Sequence, residues 1–189
     1  MNKGPGAGAM GAVFVVMGPP NAGKGTQTRL LGEHLRAVHF STGELMRKEN
    51  DPKIMQLTNT GALAPNDYIR DMVAREIRRA PHDKPIVIDG AKMLPEAKWL
   101  VDFLPTVGRS LSRVVLIRLT EDASRARSAS RGHGREDDAE HVQDVRWERF
   151  RRDVTPTIEF YRGLGVLEEV DGSGTQGEVA FAIRGALGV

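Results

Sequence analysis

Residues 12–17, Ala-Val-Phe-Val-Val-Met, form an unbroken apolar run, and four further short runs follow at 38–40, 85–89, 114–119 and 166–170. Apolar stretches of this length without polar alternation predict strands covered on both faces. Between them the spacing changes. Ile69, Met72, Val73 and Ile77 recur at three- and four-residue intervals, which predicts a helix over 66–79 that Pro81 terminates. A longer helical pattern begins near 138 and carries Val142, Val145, Arg149, Phe150, Val154, Ile158 and Tyr161, with Pro156 expected to kink or divide it. Strands separated by helices predict an α/β fold in three layers with a central parallel five-stranded sheet.

The first run empties directly into Gly18-Pro19-Pro20-Asn21-Ala22-Gly23-Lys24-Gly25-Thr26. This order of parts is a phosphate-binding loop (P-loop). The strand fixes the loop, Gly18 and Gly23 let backbone amides turn inward, and the following helix offers its positive N-terminal end to the same anion. Lys24 is placed to reach the outer phosphates of a bound polyphosphate. Gly25 stands between the lysine and the hydroxyl of Thr26, a departure from the general G-x(4)-G-K-[ST] pattern. Asn21 is among the few non-glycine residues that tolerate a positive φ, so it is compatible with a tight loop.

Composition narrows the setting. A chain of 189 residues, 40% apolar and 28% charged, fits one globular domain. Gly4, Gly6 and Gly8 make 1–11 a flexible leader, with 12–189 as the domain. The formal charge of +2 is too mild to imply nucleic acid, but eight arginines lie between Arg125 and Arg152 and point to a focused anionic ligand. The chain has no cysteine, which excludes disulfides and cysteine-ligated zinc and suits a reducing compartment. Lys3 before the apolar run faintly imitates a secretory signal. The run ends in the phosphate loop instead of a cleavage site, so a cytoplasmic protein without a membrane segment is expected.

Three more constellations carry chemistry. The run at 85–89 ends in Asp89-Gly90, which reads either as a turn or, beside a phosphate loop, as a carboxylate that holds Mg2+ near Thr26 directly or through water. Ser41-Thr42-Gly43-Glu44 is a capping-box pattern that starts a helix, and Arg47 lies one turn further in, where a guanidinium can fork onto a phosphate. Arg127 and Arg131 are four apart and share a helix face, and Arg135 and Arg146 follow.

These strings together resemble the adenylate kinase family of nucleoside monophosphate kinases, in its short-lid form. Gly-Pro-Pro-x-x-Gly-Lys-Gly-Thr-Gln matches its phosphate loop, Ser41 to Arg47 its monophosphate-binding segment, and Gly61-Ala62-Leu63-Ala64-Pro65 the lip of that pocket. Arg127-x(3)-Arg131, Gly134-Arg135-x-Asp137-Asp138 and Arg146, eleven residues beyond Arg135, match its lid. The resemblance implies that Gly18, Pro19, Asn21, Ala22, Gly23, Lys24, Gly25, Thr26, Arg127, Arg131 and Gly174 bind ATP. It implies that Thr42, Arg47, Leu63, Ala64, Gly90, Lys92, Glu96, Arg135 and Arg146 bind AMP. Lys24, Arg131, Arg135 and Arg146 would be the catalytic set, with Thr26 and Asp89 at magnesium. Thr42, where pyrimidine-specific relatives carry alanine, favours AMP as acceptor.

By the same resemblance the acceptor-binding lobe spans about 41–70 and the lid about 131–138, and both are short. Only three residues separate Arg131 from Arg135, which leaves no room for a zinc-bearing insertion. One block departs from the family pattern. After Asp89-Gly90 the chain reads Ala91-Lys92-Met93-Leu94-Pro95-Glu96, and depending on the gap either Lys92 or Met93 stands where the family has a phosphate-clamping arginine. Glu96 stands where a glutamine reads the adenine edge; a carboxylate accepts from the adenine amino group but cannot donate back. The expected reaction is MgATP plus AMP to two ADP, catalysed by a monomer with no nucleic-acid or membrane partner. A kinase for another monophosphate, or a nucleotide-binding module with weak catalysis, are the alternatives.

Overall fold

The computed structural model describes residues 11–49, 51, 52, 54, 56, 64–130 and 140–189, with backbone alone at 130 and 140–142. Five parallel strands, β1 (Ala12–Met17), β2 (Val38–Ser41), β3 (Ile86–Asp89), β4 (Ser110–Arg118) and β5 (Leu167–Asp171), pair in the order β2-β3-β1-β4-β5. Strand alternation divides the core. Val13, Val15 and Met17 face one layer, and Ala12, Phe14 and Val16 face the other. Over the second face lie α1 (Lys24–Leu35) and α8 (Gln176–Leu187), contributing Leu31, Leu35, Val179 and Ile183.

The first face is covered by α3 (Asn66–Arg79), α4 (Leu94–Thr106) and α7 (Thr155–Gly163), through Ile69, Met72, Ile77, Leu100, Leu104 and Tyr161. Helix α3 spans the residues that its apolar spacing predicts. Further helices are α2 (Thr42–Glu49), α5 (Glu121–Ser130) and α6 (Glu140–Arg149). Among the described residues no helix is long and apolar enough to cross a membrane.

Two boundaries differ from the sequence pattern for physical reasons. β4 starts at Ser110 instead of 114, because its first four residues are exposed or half-buried and carry no apolar signal, yet still pair with β1. Gly11 belongs with the sheet, since its carbonyl accepts the Ser110 N–H at 3.1 Å. The long helical pattern that begins near 138 is divided, as Pro156 requires, but by a π-helical turn at Phe150–Val154 immediately upstream. Proline has no N–H and crowds the carbonyl four residues back; widening the preceding turn relieves both problems. The Thr155 hydroxyl donates to the Arg151 carbonyl at 2.8 Å and satisfies one group there.

Away from the site, Arg109 is 3% exposed and donates to the carbonyls of Ala80, Pro81 and Lys84 at 2.8–3.0 Å. It ties the α3–β3 connection to the start of β4. Burial lowers its pKa from the ordinary arginine value, a cost that these hydrogen bonds offset.

Candidate active site

The phosphate loop, Thr42, Gly90 and the Gly172–Gly174 turn lie just beyond the carboxyl ends of β1, β2, β3 and β5, where parallel α/β sheets hold ligands. The phosphate loop follows β1, the central strand. Gly18 has φ +155°, and a Cβ there would fall 2.7 Å from the Ile117 carbonyl of β4, so only glycine fits. Asn21 has φ +59°, the backbone state that its residue type tolerates, and Gly23, at φ +82°, is the N-cap of α1. Helix α1 has no side-chain cap and no acidic residue in its first turn. Its leading amides are thus left to an anion. The Ala22 N–H donates to the Pro19 carbonyl at 3.3 Å, closing the loop, and Lys24 Nζ donates to the same carbonyl at 2.7 Å. The lysine charge therefore lies over the loop.

Asp89 ends β3, and the register pairs it with Val16 of β1, two residues before Gly18. It is 7% exposed. Its Oδ2 accepts from Ser41 Oγ at 3.1 Å, whereas Oδ1 is buried and has no partner. The sequence marks Ser41 as a helix cap; in the fold its hydroxyl turns to Asp89. A carboxylate oxygen without a partner and the half-buried hydroxyl of Thr26 are hard oxygen donors of the kind Mg2+ takes, so these residues fit that ion.

On the β2–β3 side the structure brings Thr42 and Gly90 into contact. A Cβ on Gly90 would meet Thr42 Cγ2 at 2.5 Å, and Thr42 Oγ1 donates to the Asp89 carbonyl at 3.3 Å. Arg47 folds back over the first turn of α2: a methyl group on Gly43 would lie 3.6 Å from its Nη1. Ala64 is buried beneath this side, and Leu63 lies outside the described residues. Ala91 takes φ +52°, a strained value for alanine. Met93 is the N-cap of α4, and Glu96 reaches back to its N–H at 3.5 Å. Lys92, half-buried, precedes them.

Glu96 is 9% exposed and lines a small cavity with Ile69, Val73, Ile88 and Leu100. Burial raises its pKa above the usual glutamate value. The positive charge of Lys92, backbone N–H groups of Met93 and Lys92, and Arg70 pull it the other way.

On the β4–β5 side, Arg127 of α5 donates from Nη2 to the carbonyls of Gly172 at 2.5 Å and Gly174 at 3.1 Å. Gln27 of α1 donates to the Gln176 carbonyl at 3.0 Å. The turn after β5 is thus pinned between α1 and α5. Gly172 must be glycine, because a Cβ would lie 2.5 Å from Ile117 Cγ2. Arg146 is half-buried on α6, and Arg131, Arg135, Asp137 and Asp138 lie outside the described residues.

Sequence reasoning missed a buried group behind the loop. Ser124 and Trp147 surround Pro20 and Asn21 together with Gln143, and none of the three is more than 5% exposed. Asn21, an asparagine at a loop position of positive φ, was the sole signal in the sequence.

A strand, a glycine loop and an uncapped helix at the centre of the sheet, with separate clusters on either side, define a phosphate-loop protein. The family model described as Adenylate kinase matches residues 16–166. Adenylate kinase 1 of Nostoc sp. is 34% identical over 93% of this chain and 98% of its own length. The adenylate kinase of Thermus thermophilus is 33% identical over 95% of this chain and 99% of its own length. That of Encephalitozoon cuniculi is 31% identical over 92% and 97%. The chain belongs to the adenylate kinase family, and so to the ATP-dependent nucleoside monophosphate kinases.

Proposed function

We propose that the chain transfers a phosphoryl group reversibly from MgATP to AMP, giving two ADP, and that the residues gathered above carry the reaction. The observation that carries the reading is the pairing of two clusters across one loop: Arg127 with the Gly172–Gly174 carbonyls on the β4–β5 side, and Thr42 with Gly90 and Arg47 on the β2–β3 side. Phosphoryl transfer asks little covalent chemistry of a protein, so positioning two nucleotides in line and neutralising charge supply most of the rate.

In this reading the amides of 21–26 and Lys24 hold the donor phosphates, and Lys24 leaves the Pro19 carbonyl to reach them. Arg127 and Gly174 frame the donor base. Arg47 holds the acceptor phosphate and Thr42 faces the acceptor base. Arg131 and Arg135, from a lid at about 131–138, and Arg146, from α6, converge on the transferring group, and the acceptor lobe spans about 41–70. Thr26 and Asp89 would hold Mg2+, directly or through water. When bound, the ion neutralises charge on the phosphates.

A second acceptor is favoured by one observation. Glu96 stands where the family carries glutamine, with Lys92 near it and either Lys92 or Met93 in place of the family arginine, and that departure bears on base selection. The test is a titration of MgATP with AMP, CMP, UMP and GMP, following diphosphate formation. AMP is expected to give the highest kcat/KM. A larger value for another monophosphate assigns the acceptor to that base, and no diphosphate with any of the four removes the kinase reading.

A further inference from the structure

We propose that Asn21 is a positioning residue, whose side-chain amide couples the donor-phosphate loop to the two helices flanking 131–139. The proposal rests on the assignment of that loop to the donor nucleotide. A position at φ +59° is filled by glycine at no steric cost, so the backbone alone gives no reason for asparagine. The side chain gives one. Asn21 Nδ2 lies 3.0 Å from Gln143 Oε1 on α6, and 3.4 Å from both the carbonyl and Oγ of Ser124 on α5. Ser124 Oγ in turn donates to the Pro20 carbonyl at 2.9 Å and accepts from Trp147 Nε1 at 3.1 Å.

The network is dry. Ser124 is fully buried, Gln143 is 3% exposed and Trp147 is 5% exposed. These three are held in place, because a buried polar group that loses its partner is costly, while Asn21 itself is half-buried at the edge of the network. Helices α5 and α6 enter and leave 131–139, and Ser124 of α5 and Gln143 and Trp147 of α6 meet at Pro20 and Asn21. Arg125 adds one such link, donating from Nη2 to Glu121 at 2.6 Å and to Asp144 at 2.5 Å. A change in the spacing of α5 and α6 must move the Asn21 amide or break its bonds. A polyphosphate that reorients the amides of the loop pulls the same side chain from the other end. Donor binding and the placement of the two helices thus share one element.

Asn21→Gly keeps the backbone permissive and deletes only the amide. The chain has two tryptophans, so a Trp99→Phe background leaves Trp147 as the sole indole reporter inside the network. In that background MgATP is added without acceptor, and Trp147 emission, affinity by calorimetry and steady-state constants are measured. The expected result is an emission change on MgATP binding that Asn21→Gly abolishes, with KM for MgATP raised about fivefold or more and KM for AMP within about twofold. Gln143→Leu and Ser124→Ala should act alike, and Asn21→Gly with Gln143→Leu should be no worse than the worse single change.

A lower melting temperature with KM for MgATP and the emission change intact overturns the coupling, as do single effects that multiply in the double variant. Failure of the parent protein to bind MgATP in calorimetry overturns the loop assignment, and the proposal with it.

Discussion

Ser41 Oγ donates to Asp89 Oδ2 at 3.1 Å across the carboxyl ends of neighbouring strands, and this single bond orients a buried carboxylate while leaving Oδ1 unpartnered. A buried carboxylate oxygen without a partner is costly, and the cost persists where function requires it. Asp89→Asn keeps the shape and still offers Ser41 an acceptor. It should lower turnover by about a hundredfold or more and raise the magnesium concentration needed for half-maximal rate. A magnesium titration of the initial rate checks this, with an unfolding curve to show that the variant folds.

The contact between Gly90 and Thr42 leaves no room for a methyl group at position 90. Gly90→Ala should destabilise the protein by about 1–3 kcal/mol and raise KM for AMP while leaving that for MgATP nearly unchanged. Thr42→Ser removes the Cγ2 atom that the new methyl would strike and keeps the hydroxyl. Adding it to Gly90→Ala should recover much of the lost stability in denaturant unfolding.

Lys24 is held over the loop by the Pro19 carbonyl, so its replacement leaves the loop backbone in place. Lys24→Ala should lower turnover by about a hundredfold or more, the scale of losing one preorganised electrostatic contact. Measured kcat at saturating nucleotides is the readout, and a variant of near-full activity would remove Lys24 from the catalytic set.

Arg146 lies three residues beyond Gln143, on the adjoining side of α6. Arg146→Ala should depress kcat by about two to four orders of magnitude with little change in thermal stability. The opposite result, lost stability with intact turnover, would make the arginine a fold contact.

Glu96 titrates in a buried site, and burial raises its pKa above the ordinary 4.5. A raised carboxyl pKa favours folding while the group is protonated, and the advantage is lost as pH rises through the folded value. Glu96→Gln stays neutral and can keep the helix-capping contact to Met93. Its melting temperature relative to the parent should therefore climb as pH rises from about 4.5 towards neutrality. Thermal unfolding across that range tests it, and a constant difference would show that Glu96 does not titrate there.

What could be read in the sequence was what neighbouring residues spell out together. The phosphate loop sits within one stretch at 18–26, and strands β1 and β3 are short apolar runs, so local pattern suffices for them. The polar start of β4 was hidden because edge-of-core residues carry no signal until their partner strand is known. Ser124 and Gln143 were invisible for a related reason, since they stand 103 and 122 positions from Asn21 and gain meaning only by proximity. Ser41 was assigned the contact its own segment allows, a helix cap, whereas Asp89, 48 positions away, takes its hydroxyl.

The central position of β1 also sets the order in which the chain can mature during synthesis. Its two partners, β3 at Ile86–Asp89 and β4 at Ser110–Arg118, are made long after it. Until they emerge, Val13, Val15, Val16 and Met17, none of which the finished protein exposes to solvent, have no sheet to enter. Both edges of the strand stay open, the condition under which nascent chains associate wrongly. The same placement that sets the loop at the centre of the sheet makes the first strand wait longest for shelter, and ties successful folding on the ribosome to the arrival of residues 86–118.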